Sequence, residues 1–181
     1  SNRARMVAGY CWDWKSKNDT SAADIVIPEH GFSMQWNLTS DEGLWITADD
    51  SVEQIGCIHT CQGLEVDYIG VVIGPDLVVR DGVVVTQPEK RSRHDQSIKG
   101  YKKALREDRV QAQAKADAII KNTYRTLMTR GIKGCYLYCT DAETASHFKM
   151  RIAVSGGKPQ ERLAADSSGE YVLDERPSAE D

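Results

Sequence analysis

The sequence predicts an α/β domain with a mainly parallel central sheet covered by helices. Continuous apolar runs, among them RMVAGYCW and DYIGVVIG, alternate with helix-length segments along the chain. Those runs are apolar throughout rather than at every second residue, as in strands buried on both faces. A chain of 181 residues is also long enough for one domain with a substantial core.

Taken in order, Arg5–Trp12 reads as a buried strand, and Asp24–Pro28 as a shorter one ended by its proline. Residues 29–50 mix aromatic and turn-forming residues and receive no assignment. The segment from Glu53 to Thr60 is the next strand, Gly63 follows in a turn or short helix, and Asp67–Gly74 is a strongly β-branched strand. In LVVR-DG-VVVT, residues 77–86, the Asp81-Gly82 pair supplies the positive φ values of a tight turn, so a hairpin is expected. Residues 87–100 carry Pro88 and many charges and read as a loop. From about Asp108 to Arg130 no proline or glycine interrupts, and Val110, Ala114, Ile120, Tyr124 and Leu127 recur near helical spacing. Gly131 stops that helix, Lys133–Cys139 forms a strand, and Asp141 caps a helix reaching about Ile152. Residues 1–156 therefore make the domain, and 157–181 an acidic tail expected to be flexible or docked on something else.

The formal charge of −4 is concentrated in that tail, where Lys158, Arg162 and Arg176 face seven acidic residues. The rest is neutral overall, so charge alone gives no support to nucleic-acid binding. Eight basic residues crowd Lys90 to Arg109, read as a solvated loop and helix start. No apolar run approaches the roughly 20 residues that cross a bilayer, and no signal peptide opens the chain. The Ser1-Asn2 opening points to a piece of a longer protein. Five cysteines with no secretion signal read as reduced thiols of a cytoplasmic protein.

Two segments carry chemistry. In IHTCQGLEVDYI, residues 58–69, a strand ends in polar groups, turns at Gly63 and returns into a second strand. Strand-end crevices of this kind are where α/β sheets bind ligands. Glu65 there suits a ribose hydroxyl, and His59 and Thr60 a passing phosphate or polymer. In NTYRTLMTRGIKGCYLY, residues 122–138, Arg130 stands at a helix end just before a strand, placed to reach a neighbouring crevice. Other readings are blander. Cys57, Cys61, Cys135 and Cys139 have C-x₃-C spacing within apolar runs, unlike the loop-borne C-x₂-C of zinc ribbons, so they read as core thiols and no metal site is expected. His59 with Cys61 as a base–nucleophile pair lacks an activating third group. Trp12, Trp14, Trp36 and Trp45 read mainly as packing residues, with base stacking as the alternative.

The first segment resembles motif V of superfamily 1 helicases, whose pattern is His, two variable residues, Lys or Gln, then Gly-Leu-Glu-Phe-Asp. The second resembles their motif VI, Tyr-x-Ala-Leu-Thr-Arg-Ala before a short strand. Both wordings, with the opening ARMVAGYCWDW, are closer still to an uncharacterised bacterial family grouped with Schlafen-type DNA/RNA helicase domains. The matching stretches cover about half the chain.

That resemblance implies the second RecA-like domain of a P-loop NTPase-type motor. It would lack its own phosphate loop, since no G-x-x-x-x-G-K-[ST] occurs here. It further implies Arg130 as an arginine finger on the γ-phosphate, Glu65 at the nucleotide ribose, and Gln62 and Gly63 by the phosphates. His59 and Thr60 would touch a single strand of DNA or RNA. ATP and Mg²⁺ would be held in the full-length protein, against an N-terminal P-loop RecA-like domain, and the fragment alone would be inactive. Gly131 stands where the pattern has Ala, Arg125 where it is commonly aromatic, and Val66 where it has Phe. A degenerate helicase-fold module that binds or regulates without ATP turnover is the alternative. A nuclease or hydrolase working through His59 and Cys61 is a third reading.

Overall fold

The computed structural model describes residues 4–37, 45–61, 63 and 65–156. The predicted tail 157–181 and Gln62 lie outside the described residues. Among the described residues, eight strands and three α-helices follow in the order β1 (Ala4–Ala8), β2 (Ile25–Ile27), β3 (Phe32–Trp36), β4 (Gln54–Gly56), β5 (Val66–Ile73), β6 (Leu77–Arg80), β7 (Val83–Thr86), α1 (Tyr101–Glu107), α2 (Arg109–Met128), β8 (Gly131–Cys139) and α3 (Ala142–Val154).

Six strands form one sheet in the order β2-β3-β4-β1-β5-β8. Every neighbouring pair is parallel except β2 with β3. The predicted mainly parallel sheet is therefore present. β1 and β5 pair from Ala4↔Tyr68 to Ala8↔Val72, and β8 extends the sheet from Val66↔Gly131 onward. From β1 the chain moves outward to β2 and β3, returns through β4, then crosses over β1 to β5. The sheet thus reverses direction between β1 and β5. The 77–86 hairpin forms as expected, as a separate two-stranded sheet, with Asp81 and Gly82 at φ 52 and 76.

The side chain of Asp108 accepts a hydrogen bond from the Gln111 amide and starts α2. The buried stripe is Ala112, Ala116, Ile120, Thr123, Tyr124 and Leu127, one helix face at successive turns. Its first two turns differ from the spacing the sequence suggests: Val110, 79% exposed, and Ala114 face outward, and Ala112 and Ala116 are buried in their place. Ile120, Tyr124 and Leu127 pack on Val7, Ile69, Val71 and Ile73 of the sheet.

The opposite face departs from expectation. Its core joins Ala8, Ile25, Trp36, Ile55 and Val72, and the half-buried Tyr10, Trp12 and Trp14 lie against it. Among the described residues no helical side chain belongs to that cluster. The loop after β1 supplies aromatic cover on this face, where the sequence reading expects helices over the sheet; large rings bury much apolar surface each.

Other differences are local. β1 ends at Ala8, not Trp12, and β4 is three residues long. Residues 57–61 form a single turn, in which the amides of Thr60 and Cys61 both donate to the Cys57 carbonyl. The unassigned stretch contains β3, and α1 precedes α2 with Gly100 at φ 83 before it.

Candidate functional site

The sequence-predicted residues lie around the start of β5 and β8 and around the turn after β4, and Cys61 of that turn shares a cavity with Arg130. At the end where β5 and β8 begin, the Val66 amide donates to the Arg130 carbonyl at 3.0 Å. This bond ties Glu65 and Arg130 into adjacent loops. Glu65 is exposed, and Gly63 sits in an exposed turn at φ 75, a conformation that favours glycine.

Arg130 follows the C-terminal turn of α2, where its Nε donates to the Thr126 carbonyl at 3.1 Å. A cation suits that helix end electrostatically. The half-buried Arg130 also lines a small cavity of about 10 Å³ with Arg5, Trp45, Cys61 and Ile69. Arg5 and Arg130 thus border the same small apolar space. Arg5 is held rigidly: its Nε donates to Ser51 Oγ at 3.0 Å and its Nη2 to the Ile46 carbonyl at 2.7 Å. Sequence reasoning missed Arg5, although a buried arginine opening a strand is unusual enough to be a signal.

Gly131, the departure from the helicase pattern, has a steric cause. A Cβ there would overlap the Gly134 carbonyl oxygen and stand 3.0 Å from the Ile69 amide nitrogen. The first residues of β8 fold too closely on one another and on β5 for a methyl group.

Past the ends of β3 and β4 lie Asn37, His59 and Thr60. His59 is exposed. The Thr60 hydroxyl accepts from the Cys57 amide at 2.9 Å and donates to the Cys57 carbonyl at 3.0 Å, so it is engaged by its own turn. Cys61 is 2% exposed, and burial pushes its thiol up to about 12. A thiol so firmly protonated is a poor nucleophile, which removes the physical basis of a His59–Cys61 pair.

The finishing end of the parallel strands also holds a polar network that sequence reading did not anticipate. The Arg91 side chain is fully buried, pairing with Asp76 at 2.9 Å and with Asp95. Burial opposes its charge, yet the Asp95 and Asp76 carboxylates together hold the guanidinium above its ordinary pKa. Tyr124 donates from its hydroxyl to Asp76 Oδ1 at 2.5 Å and accepts from the Gly74 amide at 2.9 Å. Read from sequence, Arg91 belongs to a solvated basic stretch. In the fold it is the best-shielded cation of that stretch. Trp36 and Trp45 are core, at 0% and 3% exposure, whereas Trp12 and Trp14 are only half-buried.

Among the described residues no group of three or more His, Cys, Asp and Glu side chains could hold a metal, and no helix is long and apolar enough to cross a membrane.

Known proteins bear on this arrangement. Over 116 residues the chain is 26% identical to an uncharacterized protein of Saccharomyces cerevisiae, covering 62% of this chain and 24% of that protein. The chain thus spans about a quarter of that relative's length. No solved structure matches. Residues 1–141 match the Schlafen group 3, DNA/RNA helicase domain family. The match includes all of the 58–69 turn and both partners of the Val66–Arg130 bond. The chain belongs to the Schlafen group 3 family of DNA/RNA helicase domains.

Proposed function

We propose that this chain is the second RecA-like domain of an ATP-driven nucleic-acid motor, working against a P-loop domain of the same protein. Family membership supports a helicase-like role. The observation that carries the finer reading is the division of candidate residues between the start of β5 and β8 and the turn after β4. Glu65 and Arg130 share the end where β5 and β8 begin, joined through the Val66–Arg130 hydrogen bond. His59 lies at the end where β4 finishes. Such an arrangement suits a motor, in which nucleotide-driven closure at one edge is felt by a strand bound at another.

In this reading Arg130 brings positive charge to the transferring γ-phosphate, and Glu65 accepts a hydrogen bond from the ribose. His59 contacts the strand, while Thr60 shapes the turn that presents it. The P-loop domain holds the phosphates and Mg²⁺, and this domain completes the site on closure.

The test is ATP hydrolysis by the full-length protein with a single-stranded oligonucleotide. Arg130→Ala is expected to lower turnover about 10³-fold or more while nucleotide affinity stays near the wild-type value. An unchanged hydrolysis rate would refute the finger assignment. No strand-stimulated hydrolysis by the wild type would favour the binding-only module instead.

A further inference from the structure

A cleft of about 390 Å³ opens beyond the end of β1, within the size range of small-ligand sites. Its walls are the 11–15 segment and the 91–93 loop. It lies beside the reversal of strand order between β1 and β5, the position at which open α/β sheets bind ligands.

The cleft is built rather than incidental. The Ser92 amide donates to the Tyr10 carbonyl at 2.9 Å, and the Ser92 hydroxyl to Asp13 Oδ1 at 2.6 Å, fastening the two walls together. Trp36 Nε1 donates to the Trp12 carbonyl at 3.3 Å, fixing the backbone that carries the half-buried Trp12 ring. Arg91, which lines the cleft, has Nε and Nη1 occupied by Asp95 and Asp76, while its buried Nη2 has no hydrogen-bond partner among the described residues. The paired guanidinium thereby fixes the 91–93 wall from beneath.

Charge decides the ligand class. Lys15, Arg91 and Arg93 line the cleft, but so do Asp13 and Asp24, and Asp76 and Asp95 neutralise Arg91 from behind. A free phosphate group would meet carboxylates as often as cations. A neutral planar heterocycle with both donors and acceptors matches the mixed lining and gains the Trp12 face for stacking.

We infer that this cleft receives one unpaired nucleobase of a strand bound along the same end of the sheet as His59. The base stacks on Trp12, and Asp13 accepts from a base N–H. Lys15 and the 80%-exposed Arg93 side chain stand at its rim, facing the flanking backbone phosphates. The inference rests on the strand-binding part of the proposed function and adds a place where bases, not only phosphates, are read.

The experiment measures binding of the chain to a fluorescein-labelled 20-nucleotide single strand, as DNA and as RNA, by anisotropy. A matched strand of abasic sugar units serves as the comparison. The abasic strand is expected to bind about tenfold more weakly, the scale of one lost base–aromatic stack. Trp12→Ala should weaken the intact strand by a similar factor and abolish the discrimination, and Trp12→Phe should restore it. Tryptophan fluorescence quenched on binding in the wild type should be quenched less in Trp12→Phe, a readout that needs no truncation of the core. Equal binding of intact and abasic strands would overturn the base cleft and leave the strand-binding reading standing. Failure to bind either strand would overturn both.

Discussion

Tyr124→Phe tests whether the hydroxyl of Tyr124 locks α2 to the ends of the sheet strands. The ring is 1% exposed, and phenylalanine keeps its packing while removing one oxygen. That oxygen makes two hydrogen bonds, to the Asp76 carboxylate at 2.5 Å and from the Gly74 amide at 2.9 Å. Loss of a bond to a carboxylate costs about 1.5–3 kcal/mol, and leaving a buried amide unsatisfied about 1–3 kcal/mol. Because Asp76 keeps Arg91 as a partner, the combined cost is set in the lower part of the sum, about 2.5–4 kcal/mol. With a urea dependence of about 2 kcal/mol/M, the unfolding midpoint should fall by about 1–2 M. Tyr138→Phe is the internal control. Its hydroxyl donates to Glu29 at 3.3 Å in an exposed pair, so its midpoint should move by less than about 0.3 M. Urea titration followed by far-UV circular dichroism decides the matter. If Tyr124→Phe shifts the midpoint no more than Tyr138→Phe does, the buried network is not a structural lock and the reasoning fails.

Two further outcomes follow from the same geometry. Gly131→Ala forces a methyl group against the Gly134 carbonyl and the Ile69 backbone. It should destabilise by about 1–3 kcal/mol, seen as a melting temperature lower by about 2–10 °C; an unchanged melting temperature would contradict the close backbone approach at the start of β8. Alkaline pH should destabilise the fold. Burial raises the Cys61 thiol from 9.0 to about 12, so above pH 9 the unfolded chain releases a proton that the folded chain keeps. The unfolded state then binds fewer protons, and stability falls as pH rises toward 12, by about 1.4 kcal/mol per pH unit for this thiol. Denaturation midpoints measured between pH 8 and 11 should show a shallower decline in Cys61→Ala, and parallel slopes would exclude the thiol as the cause.

What the sequence determined by itself was local. The apolar run of β5, the Asp-Gly hairpin, the uninterrupted α2 and the Asp141 cap, whose carboxylate accepts from the Thr144 amide at 2.9 Å, follow from patterns within a few residues. Motif spacing likewise marked Glu65 and Arg130 as site candidates. Local pattern failed for β3 and α1, which are short and carry too few periods to stand out. Only the tertiary structure decided which partners meet across long separations. Asp13 reaches Ser92 across 79 residues, and Tyr124 reaches Asp76 across 48. Those contacts turn Arg91 from a member of a basic stretch into a buried ion pair, and they make a cleft beside Trp12 while Trp36 becomes core. The physical reason is that burial and desolvation, which set the chemistry of a charged or aromatic side chain, are properties of its neighbours in space. A residue's type and spacing specify what it can do; the order of strands in the sheet decides what it faces.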